Sequence, residues 1–156
     1  MKKTVLLIAT HAAMLAAGFA LGVYFLPILA APPPLSQAQL DAAAAGAAWR
    51  ASFRRDLPGS DALHWGEGAV TVSTTHVAHQ GRLAPGPAYR LYLTPRFVDT
   101  GDAFLQVKAQ SVALGDVKSF DGFIVPVPAG VDLARYQGVL IWCEAFQRFI
   151  TSASYR

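Results

Sequence analysis

Asparagine is missing from all 156 residues, so no N-glycosylation sequon exists. Cysteine occurs once, as Cys143, which excludes an internal disulfide. In an oxidising compartment a solitary thiol is buried and inert, paired between chains, or chemically used. Charge is scarce too, at 15% of residues. Lys2 and Lys3 are two of the 13 basic residues, so residues 32–156 carry 11 basic against 10 acidic side chains, a net of +1. That balance gives no basic stripe and excludes nucleic acid as an expected partner. The chain also lacks G-x-S-x-G, HExxH, a glycine-rich phosphate loop and a Walker lysine, so no hydrolase or nucleotide motif is present. No close-spaced set of Cys and His ligands occurs, and no metal site is assigned.

What the chain does have begins with a long apolar run. Lys2-Lys3 precede it, and Ala12 to Ala31 is a stretch of twenty uncharged residues. About twenty apolar residues span a bilayer as a helix, whereas a secretory signal has a core of about 7–15. The best small-x-small end, Leu29-Ala30-Ala31, has a bulky Leu where a small residue belongs, and Pro32 follows. An uncleaved signal anchor over residues 1–31 is therefore expected, with the membrane as a partner through residues 4–31. The dilysine stays cytoplasmic by the charge rule, and the domain faces the periplasm or cell exterior. Cleavage would instead release the domain as a secreted protein. Tyr24 and Phe25 fall where an outer aromatic belt would lie.

Residues 32–51 form a linker and a short helix. Pro32-Pro33-Pro34 is a stiff spacer. Ser36-Gln-Ala-Gln39 matches a capping box, and the alanine-rich stretch to about Trp49 is expected to be helical. From residue 52 to 156 the pattern is short strands with turn punctuation. Val70 to Val77 alternates as one strand, and Tyr89, Leu91 and Leu93 point inwards from the next. Strands are expected at Phe104 to Val107, at Val112 to Val117 and at Phe120 to Val127. Pro126 and Pro128 place the last of these at an edge. Asp132 to Tyr136 reads as a helical turn. Gly138 to Cys143 is the central strand, and Phe149 to Tyr155 is its hairpin partner. Such spacing predicts an all-β fold, an antiparallel sandwich or small barrel, behind the membrane helix and the alanine-rich helix.

Within the central strand, period two puts Val139, Ile141, Cys143 and Ala145 on one face and Leu140, Trp142, Glu144 and Phe146 on the other. Cys143 is either a small hydrophobe filling the core or a redox thiol whose pKa a neighbouring cation lowers. Arg90 and Arg148 are the candidate cations. Among the histidines, His64 in the glycine-rich turn His64-Trp-Gly-Glu-Gly68 is the one chosen as a possible second participant. His76 and His79 lie three apart, and a continuous strand sends them to opposite faces. Trp49, Trp65 and Trp142 either line a ligand cleft or fill the core. Asp99, Asp102, Asp56 and Asp61 are turn residues rather than acid/base pairs.

Residues 50–156 together resemble the electron-transfer DM thirteen domain family. The resemblance rests on His64-x-x-x-Gly68 before a strand and on Gly86-Pro87 ahead of Tyr92-Leu93. It continues through Leu114-Gly115-Asp-Val-Lys118, Val131-Asp-Leu133 with Tyr136, and Ile141-Trp-Cys-x-x-Phe146 leading to Ala153. Family members usually carry an acidic residue after Gly-Pro, where this chain has Ala88. The resemblance implies an extracytoplasmic β-sandwich module whose cysteine takes part in redox chemistry. Carried over, that role falls on Cys143, with Trp142 and His64 as candidate cofactor-binding residues. It names neither the cofactor nor the redox or envelope protein partner. The other reading is a non-catalytic binding or structural module of the cell envelope with Cys143 as filler.

Overall fold

The computed structural model describes residues 2–156. Helix α1, Lys2–Leu29, is apolar all round and buries no side chain within the protein. It is long and apolar enough to cross a membrane, a test that a signal sequence at this position also passes. Pro27 lies in its last turn, and Pro32-Pro33-Pro34 follow its end, where the residue before a proline is pushed out of the helical region. Helix α2, Gln37–Ala45, starts at the expected capping box, with Ser36 and Gln39 satisfying each other's backbone N–H groups. Leu40 and Ala43 are its buried residues. Its last carbonyls are met by His76 Nε2 on Ala43 O at 3.0 Å and by Arg50 on Ala44 O at 3.1 Å.

Eight strands follow: β1 (Trp49–Phe53), β2 (Gly66–Val72), β3 (His76–Leu83), β4 (Tyr89–Thr94), β5 (Val112–Val117), β6 (Phe123–Pro126), β7 (Gly138–Cys143) and β8 (Arg148–Ser154). They form two four-stranded antiparallel sheets, ordered β1-β2-β3-β6 and β5-β4-β7-β8. The fold is thus a sandwich and not a closed barrel. β6, with Pro126 at its end, sits at the edge as its prolines required. β7 and β8 form the expected hairpin, and Leu133–Arg135 is the expected short helical turn. β1 begins at Trp49, so the first sheet takes in residues that the sequence placed in the helical segment.

Two expectations are corrected. Val70 to Val77 is a hairpin rather than one strand. The Ser73 hydroxyl accepts from the backbone N–H groups of Thr75 (3.3 Å) and His76 (3.0 Å), supplying a turn that alternation alone hides. Phe104 to Val107 is helical, within α3 (Gly101–Val107), because Thr100 caps it and Phe104 and Val107, three apart, face the same sheet.

The second sheet is covered on both sides. Between the sheets lies the main core, which includes Phe53, Val70, Leu91, Val139, Ile141 and Ile150. On its outer face α3 closes a second cluster of Leu57, Tyr92, Phe104, Leu140, Trp142 and Phe149. That double cover explains why every residue of β7 is buried.

Candidate functional site

Cys143 is the last residue of β7, paired with Tyr89 on β4 and Arg148 on β8. It belongs to the inter-sheet core with Val139 and Ile141, the face that alternation assigned to it, and is 2% exposed. Its thiol donates to the Pro87 carbonyl at 3.1 Å. The chain then turns through Glu144–Gln147 into β8, with Gln147 at φ +50°. That turn contains the backbone N–H groups of Ala145 and Phe146. Burial pushes the Cys143 thiol above its ordinary pKa, those two N–H groups pull it back in part, and the Glu144 charge adds to the rise. Neither Arg90 nor Arg148 contributes to the shift. Arg90 is instead paired with Asp116 at 3.1 Å.

The loop that holds the sulfur is built for close approach. At Gly86 a Cβ would come within 2.5 Å of the Tyr89 hydroxyl, so only glycine fits. Ala88 follows Pro87 at φ +51°, and its carbonyl accepts from the Glu144 N–H at 3.0 Å. The Gly-Pro loop and the β7–β8 turn are thus joined at two points, one through the sulfur. Above them is a cavity of about 310 Å³ lined by Cys143, Tyr89, Pro87, Leu63, His64 and Phe146, with Phe19, Val23 and Tyr24 of α1 as the far wall. The family model for electron transfer DM13 matches residues 57–155. The chain belongs to that family. No curated protein and no solved structure matches it.

Within the DM13 domain, His64 lines the Cys143 cavity, and its Nδ1 lies 2.9 Å from both oxygens of Asp61. Burial raises the Asp61 carboxyl, but bonds from His64 and the Leu63 N–H outweigh it and hold the group below the ordinary carboxylate range. Trp142 takes the opposite face of β7. It is 1% exposed, its ring is 5.0 Å from Phe104, and its Nε1 has no partner. It contributes instead to a second hollow of about 270 Å³, with Gly59, Gly101 and Arg148, which His64 also borders. The sheet therefore separates Trp142 from Cys143, and His64 is the residue common to both hollows. Trp49 stacks near Tyr155, and Trp65 lies under the Arg55 guanidinium at 3.3 Å, so the three tryptophans share no cleft.

The face shared with Trp142 carries a polar cluster that the sequence reading missed. Glu144 accepts from the Tyr92 hydroxyl on one oxygen and from Lys108 Nζ, at 2.9 Å, on the other. Burial raises its carboxyl, but those two bonds hold it below the usual range. Burial and the Glu144 bond push the Tyr92 phenol up to about 12. Lys108 also lies 5.5 Å from the Trp142 ring centroid. The signal was available, since period two put Glu144 on the Trp142 face. His76 and His79 point to opposite sides of β3, as a continuous strand requires: His79 is fully buried and His76 caps α2.

Among the described residues no three His, Cys, Asp or Glu side chains converge where a metal could sit. His64 faces the cavity, but its Nδ1 is committed to Asp61.

Proposed function

We propose that this chain is a membrane-anchored, extracytoplasmic module for electron transfer or thiol redox chemistry, with Cys143 as the group that changes oxidation state. One observation carries the proposal. The sulfur terminates the most buried strand yet lines a cavity, with its S–H donated to the Pro87 carbonyl. Because burial raises the thiol pKa, Cys143 is protonated at neutral pH. It is not a ready nucleophile. Its one-electron oxidation leaves a neutral thiyl radical, the electron passing to the redox partner as the S–H releases its proton. His64 is the candidate that receives it, being the imidazole in the same cavity wall. Helix α1 supplies the anchor and leaves the domain outside, where a redox or envelope protein is the partner.

The test compares the full chain with Cys143→Ala and Cys143→Ser. A thiol couple or an absorption band that both variants lose supports the proposal. Identical redox titrations and spectra in all three overturn it. A second reading is favoured by the 2% exposure of Cys143 and its place in the core: a binding or structural module in which the sulfur is filler. It requires Cys143→Val to keep full activity in the cell with a change of less than about 1.5 kcal/mol in stability.

A further inference from the structure

We infer that the mouth of the Cys143 cavity lies against the outer surface of the lipid bilayer, with Leu63 and Phe146 seated in the interface. This rests on the anchoring part of the function proposed above and is independent of what the sulfur does. The first support is length. At about 1.5 Å per residue, the 28 residues of α1 reach about 42 Å, against about 30 Å of hydrocarbon. About eight residues are left over, and with Lys2 and Lys3 held at the inner headgroups the surplus is residues 22–29.

The second support is position. The outer end of α1 is the part that meets the domain: Phe19, Val23 and Tyr24 wall the Cys143 cavity, while Leu26, Pro27 and Ala30 wall a neighbouring hollow with Ala88 and Arg90. The domain residues facing Phe19 to Tyr24 therefore sit within about a turn of the hydrocarbon boundary, inside the about 5–10 Å depth that interfacial side chains reach.

The third support is composition. The domain exposes four large apolar side chains, Leu63 (65%), Phe97 (38%), Leu105 (51%) and Phe146 (50%), and two of them, Leu63 and Phe146, flank this mouth. With Phe19, Val23 and Tyr24 of α1, Leu63 and Phe146 line one apolar opening, and grouped apolar surface of this kind marks a membrane interaction site. Of the carboxylates lining the neighbouring hollow, Glu144 is paired with Lys108 and Asp116 with Arg90. No unpaired anion among these opposes the headgroups. The cavity thus opens towards lipid, and a reagent reaching Cys143 arrives dissolved in, or docked on, the membrane.

The experiment uses the full chain in phospholipid nanodiscs, with nitroxide labels at single sites in a Cys143→Ala background. The sites are Phe146→Cys at the mouth, Phe97→Cys beyond the far end of β4, and Leu15→Cys within α1. Accessibility to oxygen, which concentrates in lipid, is compared with accessibility to a nickel chelate, which stays in water. The expected oxygen-to-nickel ratio at 146 is at least about threefold that at 97 and approaches that at 15. A lipid-like ratio at 15 with equal, water-like ratios at 146 and 97 overturns the inference and leaves the anchor standing. A water-like ratio at 15 removes the anchor, and the inference with it. In the otherwise unaltered chain, benzoylphenylalanine placed at Leu63 should crosslink to lipid on illumination. Crosslinks confined to protein overturn the inference as well.

Discussion

His79 makes the domain sensitive to mild acid. Its ring is fully buried between Phe53 and Phe123, with centroids at 5.2 and 5.1 Å. Nε2 donates to the Glu67 carbonyl at 3.0 Å, so the neutral ring carries its proton there and leaves Nδ1 bare and unpartnered. Protonating Nδ1 would place a charge and an unsatisfied N–H between two phenyl rings. Burial accordingly lowers the His79 pKa from 6.5 to about 4, against a small rise from the Glu67 bond. The unfolded chain takes up this proton first, near pH 6.5, so stability falls as pH drops from there towards 4. Integrated from pH 8 to pH 5, the loss is about 2 kcal/mol at about 1.36 kcal/mol per pH unit, a large part of a stability of about 5–15 kcal/mol. Carboxylates titrate mostly below this window. Urea unfolding of the full chain in detergent, followed by tryptophan fluorescence, is a clean assay because Trp49, Trp65 and Trp142 all lie outside α1. With a slope of about 2 kcal/mol/M the midpoint should fall by about 1 M between pH 8 and pH 5. His79→Gln, which keeps a donor for Glu67 but cannot titrate, should be less stable throughout and lose that part of the pH dependence. Equal slopes in the two proteins would refute the reasoning.

Three further outcomes are expected. Ala88→Gly should raise stability by about 0.5–1 kcal/mol in the same urea assay, because alanine at φ +51° costs about 1–2 kcal/mol and part of that is returned to glycine's looser unfolded chain. Gly81→Ala should lower stability by about 3 kcal/mol or more, since its Cβ would lie 2.0 Å from the Glu67 carbonyl that also accepts from His79. Glu144→Gln should bring the Tyr92 phenol down from about 12 towards 10, measured by ultraviolet phenolate titration, with Tyr92→Phe identifying the affected band.

The sandwich was legible because its strands alternate cleanly and their ends carry turn residues. Tyr89, Leu91 and Leu93 face the inter-sheet core, as alternation alone requires. The helix α3 was not legible, because four residues from Phe104 to Val107 are too few to tell period two from period 3.6. Its start depends on the Thr100 side chain bonding the Ala103 N–H, a contact that Asp99-Thr-Gly-Asp102 presents equally well as a turn. At the site, the face of Cys143 was readable from the strand, but its surroundings were not. Pro87, Tyr89 and Leu63 share the cavity with Cys143 from segments more than fifty residues away, and no local pattern records which loop closes on which turn. Trp142 shows the converse. Adjacency in sequence to Cys143 put it on the list of candidates, and the same adjacency in a strand sends it through the sheet.

That separation bears on how the sulfur would work. Strand β7 cannot shift to bring Trp142 nearer without emptying two cores at once, since Val139 and Ile141 fill one and Leu140 and Trp142 the other. Nor can the Gly86-Pro87-Ala88 loop move outwards without breaking both the thiol bond and the Glu144–Ala88 bond. The sulfur is therefore held by its strand and by the Pro87 carbonyl, and it faces a cavity with Leu63, Phe146 and α1 in its walls. A fixed, protonated and desolvated thiol is poorly suited to attack a disulfide in water, because that reaction needs the thiolate. It is better suited to a reaction in which electron and proton leave together, within a frame that has little to reorganise. The burial that makes Cys143 resemble filler is thus the same burial that would restrict its chemistry to a partner able to enter an apolar mouth.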